Sequence, residues 1–241
     1  MGKLIAFVGP PGCGKTSVAM QTAIAVYLDT KSNKIAFLSP DLSVPSLGLL
    51  FPNYPPESFA SLGNLFDRTD ISRETLLEAG VPVQSMNNLL CFGFKINDNK
   101  STFPEPIPQK LKDLFEVLKR TMEYAFVDCT DDSSDVISNR AIHDADIIVR
   151  VVPADLKGMT WFAANKDLYG SEGRNLCNVV NITARDLYLP TDEICTKLQD
   201  VTTVLPYSRP LKQSLLEGRL AGRVGDRGFT HKLKDLTRKI L

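Results

Sequence analysis

The octapeptide Gly9-Pro10-Pro11-Gly12-Cys13-Gly14-Lys15-Thr16 constrains this chain more than any other stretch of it. Its spacing is G-x-x-x-x-G-K-T. The apolar run Leu4-Ile5-Ala6-Phe7-Val8 precedes it, and Val18, Ala19, Ala23, Val26 and Tyr27 follow at helical spacing. A strand, a tight glycine loop and a helix in that order turn successive main-chain N–H groups into one concavity. The dipole of the following helix adds partial positive charge there. In such a loop Lys15 reaches the β- and γ-phosphates of a nucleotide and the Thr16 hydroxyl ligates Mg²⁺, with Ser17 next in the helix. The plainer alternative, a glycine turn with a solvated lysine, does not require the flanking strand and helix.

The remaining chain alternates in the same way. Apolar runs at 34–38, 89–94, 124–127, 147–152, 178–180 and 203–205 have strand length, and helix-length stretches separate them. One such helix runs from Gln109 to Thr121, with Leu111, Leu114, Phe115 and Leu118 on one face. Strands separated by helices pair in parallel, which predicts an α/β fold with a mostly parallel sheet covered on both faces. No repeat or low-complexity linker divides the 241 residues, so a single domain over 1–241 is expected. Loops are expected at 52–56 and at 97–108, the latter carrying three prolines.

In open parallel sheets ligands lie beyond the carboxyl ends of the strands, so acids there carry weight. Asp128 directly ends Tyr124-Ala125-Phe126-Val127 and suits a carboxylate that holds Mg²⁺ through water. Asp41 follows the second strand by two residues and could orient and deprotonate an attacking water, or cap a turn. Guanine recognition often uses N-K-x-D. The nearest string, Asn165-Lys166-Asp167-Leu168, ends in leucine and falls in a helical stretch, so adenine is the expected base.

The segments GPPGCGKT at 9–16, FLSPDLSVPSLGLLF at 37–51 and YAFVDCT at 124–130 come in a telling order. ADIIVRVVPADLKGM at 145–159, NVVNITARD at 178–186 and VLPYSRPLKQSLLEG at 204–218 complete it. Together they resemble the ParA/MinD family of P-loop ATPases over nearly the full length. The resemblance implies an ATP-binding, ATP-hydrolysing protein that uses nucleotide-dependent homodimerisation to localise or partition a cellular cargo. It makes Lys15 and Thr16 the phosphate and Mg²⁺ ligands, Asp128 the second metal-side acid and Asp41 the water-activating acid. It makes Asn181 the residue at the adenine edge and Pro206 the start of the segment lining the base pocket.

Three departures qualify the resemblance. Relatives carry a lysine where this chain has Pro10, and that lysine reaches the other subunit's phosphates. Proline can donate nothing from side chain or main chain. The pilus-associated TadZ/CpaE group also varies there. Relatives usually read D-x-P-x-G where this chain has Asp128-Cys129-Thr130-Asp131-Asp132, and two extra carboxylates repel a phosphate unless they turn away or bind metal. Ser39 replaces an acid often found two residues before the water-activating Asp. The second expectation is therefore an ATP-binding assembly or localisation factor, in pilus or conjugation machinery, with little or no hydrolysis.

Charge is balanced, 28 basic against 28 acidic residues, which argues against a surface that coats nucleic acid. The balance is uneven, since Arg219–Leu241 carries seven basic and two acidic residues. Phe229, Leu233, Leu236 and Ile240 mark one helical face there, expected to pack on the sheet. Its basic residues remain candidates for a membrane surface or nonspecific DNA. Five cysteines and two histidines without metal-ligand spacing fit a reducing compartment, and a cytoplasmic location, peripheral at the membrane, is expected. Cys13 reads as a small filler whose thiol the neighbouring Lys15 could activate.

Overall fold

The computed structural model describes residues 1–53, 55–169, 175–185 and 189–241. Tyr54, in the expected loop at 52–56, and Asp186, at the end of the segment read at 178–186, lie outside the described residues.

The strands are β1 (Lys3–Val8), β2 (Ile35–Ser39), β3 (Val81–Val83), β4 (Met86–Gly93), β5 (Tyr124–Asp128), β6 (Ile147–Pro153), β7 (Asn175–Asn181) and β8 (Val201–Leu205). The helices are α1 (Lys15–Thr30), α2 (Leu47–Leu50), α3 (Leu62–Asp67), α4 (Arg73–Ala79), α5 (Pro108–Thr121) and α6 (Val136–Asp144). They continue with α7 (Leu156–Asn165), α8 (Thr191–Leu198), α9 (Arg209–Leu216) and α10 (Arg227–Ile240).

Among the described residues the strands form one sheet in the order β3-β4-β2-β5-β1-β6-β7-β8. Every pairing is parallel except β3 with β4. The expected mostly parallel α/β sheet is the observed one. β3 is the addition: three residues at the edge, with Pro82 exposed where its missing N–H breaks no central ladder. From β1 the chain passes to β2 on one side and later to β6, β7 and β8 on the other. The carboxyl end of β1 therefore lies at a reversal of strand order, where such sheets leave a crevice.

Alternation along β1 shows why both faces are covered. Ile5 and Phe7 enter an apolar cluster with Val18 and Ala23 of α1 and Phe229 and Leu236 of α10. Leu4, Ala6 and Val8 enter the opposite cluster with Leu76, Leu114 and Ile137 from α4, α5 and α6. A strand buried on both faces must read as continuous hydrophobic sequence, and β1 does. Helix starts are fixed by local chemistry. Asp135, Asp155 and Asp226 accept main-chain N–H bonds at the first turns of α6, α7 and α10. Helix α7 stops at Asn165, so the string at 165–168 is a helix end and turn, not helix interior.

Candidate functional site

The loop at 9–16 joins β1 to α1 at that crevice. Its closing bond runs from the Cys13 N–H to the Pro10 carbonyl at 3.2 Å. Gly14 caps α1 in the left-handed region, φ 82°, which an L side chain adopts only at a cost. A Cβ there would also stand 2.5 Å from Nδ2 of Asn181. Only glycine suits both constraints. Prolines 10 and 11 offer no N–H, so the amides free to face an anion come from the second half of the loop and the start of α1. The Lys15 ammonium folds back and donates to the Gly9 carbonyl at 3.4 Å, and Ser17 is buried one turn in.

Asp128 arrives from β5, adjacent to β1, with Phe7 paired to it in register. The residue is 5% exposed, and its Oδ1 has no hydrogen-bond partner among the described residues. Burial raises its pKa from 3.8 to about 6, against the pull of Lys15 and a Thr16 hydrogen bond and with a further push from Asp41. A buried carboxylate oxygen left unpaired, with a lysine and a threonine hydroxyl beside it, is short of a cation. Thr16 and Asp128 fit Mg²⁺, which takes few protein ligands and completes its shell with phosphate oxygens and water. No cluster of three or more His, Cys, Asp or Glu suited to a metal occurs among the described residues.

Asp41 sits in the loop after β2, close enough for its charge to reach Asp128. Its carboxylate accepts from the N–H groups of Ser43 (2.8 Å) and Val44 (2.9 Å), an Asx turn. It also lines a cavity of about 180 Å³ walled by Phe66, Phe94, Phe103, Lys100 and Asp132. Asp132 accepts from the N–H and hydroxyl of Ser134, which keeps it ionised and committed to its own turn. Asn181 ends β7, 7% exposed, and its Nδ2 donates to the Cys13 carbonyl at 2.8 Å. Pro206 follows β8, whose last residue, Leu205, pairs with Asn181. The structure therefore places Gly9–Ser17, Asp41, Asp128, Asn181 and Pro206 at the carboxyl ends of the strands, on one side of the sheet.

No family model and no curated protein matches the chain by sequence. Solved structures do match. The septum site-determining protein MinD of Pyrococcus horikoshii OT3, complexed with Mg-ADP, superposes with a TM-score of 0.78 at 16% identity, covering 100% of this chain and 96% of that one. A ParA family ATPase from Chlorobium tepidum TLS gives 0.76 at 15% identity over 100% and 99%. A putative plasmid partition protein from Borrelia burgdorferi B31, bound to AMPPNP, gives 0.72 at 16% over 100% and 98%.

The fold is that of the ParA/MinD ATPases.

Within this ParA/MinD fold two details correct or extend the sequence reading. Burial pushes the Cys13 thiol up to about 11, and the pull of Lys15 does not offset it, so Cys13 is a filler and not an activated nucleophile. Lys157, in the first turn of α7, donates to the Pro11 carbonyl at 2.7 Å. Only the motif-like string at 145–159 contained Lys157, and nothing in its spacing pointed to the loop 146 residues away.

Proposed function

We propose that the chain binds ATP with Mg²⁺ and uses the bound nucleotide to control pairing with a second copy, thereby localising a cellular cargo through a protein scaffold. The unpaired, buried Oδ1 of Asp128 beside Lys15 and Thr16 carries this reading, because it is a site complete except for a cation and an anion. The neighbours crystallised with Mg-ADP and AMPPNP share that fold. Lys15 and the amides at the start of α1 would hold the phosphates. Thr16 and Asp128 would hold Mg²⁺, which neutralises phosphate charge when bound. Asn181 and Pro206 would border the adenine. Val44, in the loop after β2, and Leu156, which opens α7 after β6, are 60% and 73% exposed and would give a second copy apolar surface to cover. The chain would work in the cytoplasm, with membrane or DNA contact through its basic carboxyl-terminal face.

Titration calorimetry with Mg-ATP tests the first half, and sedimentation velocity with and without ATP tests the second. Micromolar binding lost in Lys15→Ala, and an ATP-dependent rise in mass, are expected. Binding unchanged by Lys15→Ala, or a sedimentation coefficient indifferent to ATP, refutes it.

A specific observation favours slow or absent hydrolysis as a second reading. Oδ1 of Asp41 is held by the N–H groups of Ser43 and Val44 in its own turn, which leaves only Oδ2 to take a proton from water, and Pro10 supplies no lysine to the site. Phosphate release well above about one per minute, nearer ordinary enzyme rates, removes this reading.

A further inference from the structure

We infer that Lys157 is a second cation of the phosphate site, reaching the phosphate tail from outside the loop; this rests on the nucleotide-binding reading above. The loop itself is short of donors on one side. Pro10 and Pro11 contribute no N–H, and the Cys13 N–H is spent on the Pro10 carbonyl. Lys157 stands at that deficient rim, its Nζ 2.7 Å from the Pro11 carbonyl. An ammonium has three N–H donors, and the one bond to Pro11 leaves two for phosphate oxygens. The residue is solvent-exposed, so no described residue covers those donors.

The placement of Lys157 follows from the fold. Strands β1 and β6 are parallel neighbours, Val8 paired with Arg150, so their carboxyl-end loops emerge side by side. The turn after β6 is short and tied down. The Asp155 N–H donates to the Pro153 carbonyl at 2.9 Å, and the Asp155 carboxylate accepts from the Gly158 N–H at 2.7 Å. A Cβ on Gly158 would come within 2.2 Å of the Pro153 carbonyl, so the first turn of α7 lies hard against the end of β6. Lys157 is thereby held between two fixed residues and aimed at the loop.

An added positive charge acts more strongly on the more highly charged ligand. Lys157 therefore favours ATP over ADP, which a lysine that merely tethers the loop would not do. Titration calorimetry of Mg-ATP and Mg-ADP into wild type, Lys157→Ala, Lys157→Arg and Lys15→Ala reads the difference, with thermal melting of each nucleotide-free protein alongside. Lys157→Ala is expected to weaken ATP about tenfold and ADP less than about threefold, the scale of one exposed charge-assisted bond. Lys157→Arg should keep most of the ATP preference, and nucleotide-free melting should be unchanged in both. Equal loss for ATP and ADP, or no loss in Lys157→Ala while Lys15→Ala abolishes binding, overturns this role and leaves the nucleotide-binding reading intact. Wild-type protein that binds neither nucleotide overturns both.

Discussion

The side-chain amide of Asn181 donates to the main-chain carbonyl of Cys13 at 2.8 Å, so the end of β7 holds the floor of the loop after β1. The two residues are 168 apart in sequence and both are buried. Removing the amide leaves a buried carbonyl without its partner. Asn181→Ala should therefore lower the unfolding free energy by about 1–2 kcal/mol. Gly14→Ala should cost about as much or more, since it strains a residue at φ 82° and drives a methyl into the same amide. The double variant should lose less than the sum of the two, because deleting Asn181 removes the clash. Urea denaturation of the four proteins measures this. Strict additivity would mean the two residues do not touch in solution.

Asp128 sets a pH dependence of the opposite sign to that of most carboxylates. Its proton is held in the folded chain to about pH 6 but leaves the unfolded chain near 3.8. Between those values the folded state binds more protons at this site, so the contribution of Asp128 to stability is greatest below pH 4 and is lost as pH rises through 6. The difference of about two units corresponds to about 3 kcal/mol. Asp128→Asn, neutral throughout, should flatten this part of the curve and be the more stable protein at pH 7 when magnesium is chelated. Denaturation at half-unit pH steps with a chelator present checks it. A wild-type curve that rises from pH 4 to 7 while the variant stays flat contradicts the buried, cation-short site.

Thiol reactivity separates the filler from the accessible cysteine. Burial pushes all five thiols up, but Cys13, Cys91, Cys129 and Cys177 are buried, whereas Cys195 on α8, raised further by Asp192, is only half-buried and open to reagent. Native protein treated with an aromatic disulfide at neutral pH should release one fast equivalent, and all five thiols should react once the chain is unfolded. Cys195→Ser should remove the fast phase. Its removal by Cys13→Ser instead would restore the idea of an activated loop thiol.

The parts of this site that are local in sequence were legible there. The loop at 9–16 and Asp128 each carry their signal within a few residues, because strand, turn and helix cap are neighbours along the chain. Asn181 was not readable from its surroundings and entered only through the family resemblance. Its bond to Cys13 and the Lys157 bond to Pro11 both cross from one strand's loop to another's, and only the strand order brings those loops together. Strand β3 escaped because three residues around a proline have no periodicity to read. Helices α3 and α4 escaped for a different reason. Their capping pairs are Ser61 with Asn64 and Ser72 with Thr75, not the Ser-x-x-Glu form that marks a helix start most clearly. At 16% and 15% identity, the chain shares the fold of the Pyrococcus horikoshii and Chlorobium tepidum proteins.

The basic carboxyl-terminal helix is a packing element, and this determines how it can meet a partner. Phe229, Leu233, Leu236 and Ile240 are all at most 2% exposed, in the cluster shared with α1. Lys232, Lys234, Arg238 and Lys239 stay exposed on the outer side. An amphipathic helix that enters a lipid surface must offer it an apolar face, and here that face is already used. Leu236→Ala should therefore cost about 2–4 kcal/mol of stability. Replacing Lys232, Lys234 and Lys239 together by alanine should leave the melting temperature within a few degrees of wild type. Any association with anionic vesicles or with DNA through this helix would then be purely electrostatic. It should vanish in the triple variant and, for the wild type, above about 0.5 M salt, where charges are screened within a few ångströms. Co-sedimentation with anionic vesicles at low and high salt decides the matter. Salt-resistant binding would require α10 to leave the sheet, contrary to the burial of its apolar stripe.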